Sequence, residues 1–275
     1  MNNLFKRIIT GIFVVITILG SIILNQYLYF ALFGIIVFLG IFELQRLLKA
    51  GQLNIQSEYA FVIGIFFYVT TFCVVSEIIS PLWFLILIPL IFAVFITELF
   101  SKSGTPVVNV ALTLFVPLYI AVPFSFLHLL AFYENQYCCQ ILLGFFIMIW
   151  SNDTGAYLIG VNFGKRRLLE RISPKKSWEG AIGGFILTLI SALILSYFYH
   201  NFSLINWLII GAIISVTGIL GDLTGSLIKR SVNIKDSGNI LPGHGGIIDR
   251  FDSVIFAAPM VYCYLIFVSK LLTNN

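Results

Sequence analysis

The sequence predicts an all-α, polytopic integral membrane protein, and three observations carry that prediction. Only 10% of the 275 residues are charged while 59% are hydrophobic, and the mean hydropathy is +1.01; soluble domains carry roughly a quarter charged residues. Nine apolar runs follow one another along the chain, each near the length a helix needs to cross about 30 Å of hydrocarbon. No long polar segment stands between them that could fold as a soluble unit. A single membrane-embedded domain over 1–275 is therefore expected, with N-terminal helices in 1–140 and the helices and loops richest in polar groups in 141–275.

The runs cover 8–24, 27–42, 59–75, 82–100, 107–132, 140–161, 178–199, 204–228 and 253–272. In lipid each must be helical, because every backbone N–H and C=O needs a partner within its own segment. The first run follows Lys6 and Arg7, as the apolar part of a signal peptide would. No small-x-small cleavage pattern comes after it, and Asn25-Gln26 leads straight into the next run, so it reads as a retained helix. The first two runs are short, which suits little tilt or a tight hairpin.

Orientation follows from the basic residues. With the N-terminus inside, every one of the 16 Lys and Arg residues except Lys270 falls on the inner side, as the positive-inside rule requires. An odd number of spans then puts the C-terminus outside. The outer loops are short; two inner loops, 164–177 and 231–252, are long and charged, so an active-site cavity is expected at the cytoplasmic side. Cys73, Cys138, Cys139 and Cys263 show no metal-ligand spacing and read as free thiols. His128 and His200 stand alone near apolar runs and read as structural or interfacial.

The densest charged stretch is 226–252, SLIKRSVNIKDSGNILPGHGGIIDRFD. Carboxylates at fixed positions hold divalent cations, and basic side chains with glycine-freed backbone N–H groups hold phosphate. Three other constellations accompany it. Ser151, Asn152 and Asp153 lie inside the sixth run, with Tyr157 one turn on. A carboxylate at the centre of a membrane helix costs about 2.5–3.5 kcal/mol on insertion scales, so Asp153 needs a partner: either it lines a polar cavity or it accepts a bond between helices. In 164–180, both Ser173-Pro174 and Ser177 look like helix starts, with Glu179 suited to the positive end. There Lys175 and Lys176 either build an anion site at a helix N-terminus or enforce topology against anionic lipid heads. At the end of the eighth run, Asp222, Ser226, Lys229 and Arg230 fall at i, i+4, i+7 and i+8, on one helix face. That is a polar wall grading from carboxylate to cations, or else an intrahelical ion pair.

Within 235–252 the run Pro242-Gly243-His244-Gly245-Gly246 excludes regular helix and lets backbone approach a ligand. A helix is expected to restart near Asp249, with Asp252 one turn on. Asp249 and Asp222 are candidates to share cations, and magnesium, which takes few carboxylates plus phosphate oxygens and water, suits that supply.

The spacing of Ser226, Ile228, Lys229, Arg230, Lys235, Asp236, Gly238, Leu241, Pro242, His244, Gly245, Gly246, Ile247, Asp249, Arg250, Phe251 and Asp252 resembles the signature of the phosphatidate cytidylyltransferases, the CDP-diacylglycerol synthases. Ser151-Asn152-Asp153 and the segment 173–180 are also similar to family segments; the first 140 residues match in hydropathy alone. The resemblance implies the reaction of CTP with phosphatidic acid to give CDP-diacylglycerol and pyrophosphate. It also implies Mg2+ dependence, K+ at a paired-metal site, and often a homodimer. Asp222 and Asp249 would be the metal-binding carboxylates, with Lys229 and His244 also at the chemistry. Ser151, Asn152, Asp153, Lys175, Lys176, Ser226, Arg230, Lys235, Asp236, Gly245, Gly246, Arg250 and Asp252 would line the substrates. The expected partners are CTP, phosphatidic acid and membrane lipids, with no nucleic acid, in a bacterial-type inner membrane. Two rivals differ testably. A polyprenol or dolichol kinase would release CDP and a phosphorylated lipid. A transporter would place acids toward both sides in paired halves, whereas here polar residues concentrate on one side of the second half.

Overall fold

The computed structural model describes residues 3–234, 237–238 and 245–273. Its chain forms α1 (Asn3–Leu24), α2 (Gln26–Ala50), α3 (Ser57–Val75), a 3-10 segment (Pro81–Ile86) running into α4 (Leu87–Leu99), α5 (Pro106–Tyr119), α6 (Ala121–Ala131) and α7 (Cys139–Phe163). Two short strands follow, β1 (Arg167–Leu169) and β2 (Ser173–Ser177), then α8 (Trp178–Phe198), α9 (Leu204–Ser231) and α10 (Ile248–Thr273). Among the described residues eight helical segments are long and apolar enough to cross a membrane, and α1 adds a shorter apolar stretch, Gly11–Leu24. The chain is an all-α integral membrane protein, as expected.

Three local features differ from the sequence reading. First, α2 continues past residue 42, where its apolar run stops, through Glu43 and on to Ala50: hydropathy fades there, but the i→i−4 bonds do not. Second, the fifth run is broken at Ile120 into α5 and α6. Pro123 has no N–H to offer the Tyr119 carbonyl, and Pro117 removes a further bond one turn earlier. Third, Ser173-Pro174 does not start a helix; it opens β2, which pairs antiparallel with β1, Leu169 opposite Ser173 and Arg167 opposite Ser177. Ser177 is the helix start, its Oγ accepting from Gly180 N at 3.1 Å.

Contacts divide the chain into two compact units: residues 1–137 with 231–250, and 138–230 with 251–275. In the first unit α1 and α2 are joined by Asn25 alone, an extended residue whose side chain accepts from Tyr27 N at 2.7 Å; this is the tight hairpin. The unit is filled by Tyr29, Phe33, Val37, Ile41 and Leu44 of α2 against Phe124 and Leu127 of α6. His128 is wholly buried among Tyr29, Phe30, Tyr68 and Phe72, with Nδ1 3.1 Å from the Tyr29 hydroxyl. Only 11% of an 18-residue apolar stretch within Pro81–Leu99 is buried, against 61% of the one within Pro106–Ala131. Such outward Leu and Phe carry no penalty where the surroundings are lipid tails rather than water.

The second unit is held by small residues. A Cβ on Gly155 of α7 would sit 2.6 Å from the Gly183 carbonyl of α8, and one on Gly184 would sit 2.7 Å from Asn152 Oδ1. Association in lipid lacks a hydrophobic driving force and relies on such close van der Waals contact. Gly144 makes the same allowance for Trp207 of α9, whose indole N–H donates to the Tyr199 carbonyl at 3.1 Å.

Candidate active site

In the second unit the polar residues converge from four elements. Strand geometry sends neighbouring side chains to opposite faces: on β2, Lys175 is exposed, whereas Lys176 is half-buried and ion-paired with Asp222 of α9. The hairpin that presents Lys176 is fixed to α8. Glu179 in the first turn accepts from Lys165 N at 3.0 Å and from Arg166 N at 3.2 Å, and Trp178 N donates to the Arg166 carbonyl at 2.9 Å. Asp252 of α10 is buried and lies within electrostatic reach of Asp222, Lys176 and Asp153. Gly221 makes this possible, because a Cβ there would run into the Asp252 carbonyl. Glycine thus lets α10 lie against α9 where both carry carboxylates.

Asp153 and Tyr157 are exposed on α7. Their neighbours work between helices: Asn152 Oδ1 accepts from Ser215 Oγ at 2.7 Å, and Ser151 Oγ accepts from Ser191 Oγ at 2.7 Å. On α9, Asp222, Ser226, Lys229 and Arg230 share one continuous helix; Asp222 and Ser226 are half-buried, Lys229 buried and Arg230 exposed. The cation paired with Asp222 is Lys176 rather than Arg230, so the wall is closed by another element and not by an intrahelical bridge.

The first unit holds the other cluster. Asp249 stands in the first turn of α10, where the positive helix end favours a carboxylate. Its Oδ2 accepts from Ser237 Oγ at 2.9 Å and from Ser237 N at 3.2 Å. Gly245 has φ +85°, a conformation that suits glycine, and a Cβ there would lie 3.3 Å from Asp249 Oδ2. Arg250 is exposed. Lys235, Asp236 and His244 lie outside the described residues. Asp222 and Asp249 belong to different units.

Two acids escaped the sequence reading. Glu43 of α2 is 2% exposed and accepts from Ile247 N at 2.7 Å and Ile248 N at 3.2 Å. Glu98 at the end of α4 is buried and accepts from Gln56 Nε2 and Asn109 Nδ2, both at 2.7 Å. The signal was available in each case: a lone acid beside or within an apolar run, the argument that singled out Asp153.

The donors fit Mg2+ in kind, since every candidate is a hard carboxylate oxygen. Among the described residues no three His, Cys, Asp or Glu side chains close around one point.

The sequence matches the model of the cytidylyltransferase family over residues 5–268, nearly the whole chain. The chain belongs to that family. It is similar to the phosphatidate cytidylyltransferase of Bacillus subtilis (strain 168), 32% identical over 276 residues, covering 96% of this chain and 98% of the relative. It is 41% identical over 183 residues to that of Staphylococcus aureus (strain COL), 66% of this chain and 68% of the relative. With that of Haemophilus influenzae it shares 42% over 133 residues, 46% of each. Family membership makes the chain a CTP-dependent nucleotidyltransferase, and its apolar helices make it a membrane-embedded one.

Proposed function

We propose that this chain joins CTP to phosphatidic acid, giving CDP-diacylglycerol and pyrophosphate. The observation that carries the reading is its full-length similarity to a phosphatidate cytidylyltransferase. A phosphate oxygen of the lipid forms a bond to the α-phosphorus of CTP. The bond from that phosphorus to the oxygen bridging to the β-phosphate breaks, and pyrophosphate leaves in line. The nucleophile is already an anion near neutral pH, so no strong general base is needed; transfer of this kind rests on positioning and charge neutralisation.

Asp222 and Asp249 are the carboxylates assigned to Mg2+, with K+ as a second cation. A cation held by these carboxylates would supply charge neutralisation to the transferring phosphate. Lys176, Lys229 and Arg230 offer cations along β2 and α9 for the phosphates, and the exposed Lys175 and Arg250 are further candidates for the same role. Lys176 is held by Asp222 and presents its ammonium from a strand fixed to α8. His244 either donates to the departing pyrophosphate or holds its loop.

The site faces the cytoplasm of a bacterial-type inner membrane, with the N-terminus inside and the C-terminus outside. The asymmetry of the basic residues supports this orientation. One substrate then stays in the bilayer by its acyl chains while the other arrives from water. The test is turnover by the purified protein in detergent with phosphatidic acid, labelled CTP and Mg2+. The expected result is CDP-diacylglycerol and pyrophosphate in equal amounts, both lost on chelation. CDP with a phosphorylated lipid instead would overturn the reading in favour of a kinase.

A further inference from the structure

We infer that Glu43 is a positioning residue for the Asp249 carboxylate, and so that α2 contributes to the active site from the N-terminal half of the chain. The inference rests on the reading of Asp249 as a metal ligand.

Glu43 sits in the last third of a membrane-crossing helix, just past its apolar run, and is almost completely buried. Burying a carboxylate there is unfavourable unless its oxygens are satisfied. Both are taken by backbone: Oε2 by the N–H of Ile247 at 2.7 Å and Oε1 by the N–H of Ile248 at 3.2 Å. Those are N–H groups at the start of α10, which have no carbonyl of their own helix to bond and carry its positive end. Such charge-assisted bonds are stronger than neutral ones. Glu43 thus fixes where α10 begins, one residue before Asp249.

The surroundings are shaped to that carboxylate. A Cβ on Gly246 would collide with Glu43 Oε1 and with Ser237 Oγ. A Cβ on Gly238 would lie 3.4 Å from Glu43 Oε2. Ser237, next to Gly238 and itself buried, gives both its N–H and its hydroxyl to Asp249 Oδ2. Glu43 therefore holds the backbone that carries Asp249, and Ser237 holds its side chain. Acting through Asp249, and not on substrate, Glu43 governs how well a cation is bound.

The direct readout is Mn2+ affinity, measured by electron paramagnetic resonance on the full-length protein in detergent, with Mg2+ half-saturation of turnover beside it. Glu43→Ala is expected to weaken Mn2+ binding and raise the Mg2+ half-saturation by about 10- to 100-fold, the usual effect of losing a group that orients a metal ligand. Glu43→Gln keeps the shape and one acceptor, and is expected to fall between Ala and wild type. A residue that only stabilised the fold would lower the melting temperature without changing affinity per folded molecule. Mn2+ affinity within about twofold of wild type in the folded variants would overturn the inference. If Glu43→Ala does not fold, Glu43→Gln decides on the same criterion. Asp249→Asn, run in parallel, separates the two levels. Loss of affinity there with none in the Glu43 variants overturns the role of Glu43 alone, while unchanged affinity in Asp249→Asn overturns the metal assignment as well.

Discussion

Glu43 and Asp222 are both acids on long apolar helices, and the two units treat them differently. Glu43 is sealed in, with its oxygens committed to two backbone N–H groups. Asp222 is half-buried and faces a lysine at the tip of a four-carbon stem. Backbone donors cannot swing away without unwinding a helix. A lysine ammonium is a compact point charge on a flexible chain and can exchange partners. The first arrangement sets geometry; the second leaves a carboxylate able to meet a cation and a cation able to meet phosphate. Glu98 belongs with Glu43: it ties Gln56 and Asn109 to the end of α4, and neither of these is assigned to substrate.

The contrast can be broken in three places, and the effects should fall in this order. Replacing Asp222 with Asn removes the charge and keeps the shape. Turnover should fall by about a thousandfold, the scale of losing electrostatic stabilisation at a reacting centre, while insertion and extraction stay normal. Gly155→Leu forces a side chain into the Gly183 carbonyl and should destabilise the α7–α8 pair by about 1–3 kcal/mol; thermal unfolding in detergent reads this directly. Glu98→Gln leaves one acceptor and disturbs one of two bonds, so it should lower stability by about 1 kcal/mol with turnover per folded molecule unchanged.

Much of this is legible in the sequence. The helices follow from hydropathy, because lipid permits little else, and the cap at Ser177 follows from its residue type. The shared face of Asp222, Ser226, Lys229 and Arg230 followed from helical spacing alone and lies on one unbroken α9. What escaped depended on partners distant in sequence. Lys176 meets Asp222 only because β2 folds back on β1, and a short basic strand has no periodicity to betray it. Glu43 lies one residue past the apolar run that ends at 42, where hydropathy gives no sign that the helix continues, and its partners lie some 200 residues on. The break at Ile120 was hidden for the opposite reason: Pro117 and Pro123 interrupt hydrogen bonding without lowering hydropathy.

On this account Asp222 works in the reaction, Glu43 acts on it only through the placement of Asp249, and Glu98 only holds the frame. This is tested most directly by preparing Asp222→Asn and Glu98→Gln side by side and measuring initial rates of CDP-diacylglycerol formation per folded molecule at saturating Mg2+. The account predicts a near-silent Asp222→Asn and a Glu98→Gln at the wild-type rate. Comparable rates in the two variants, or the reverse order, would contradict it.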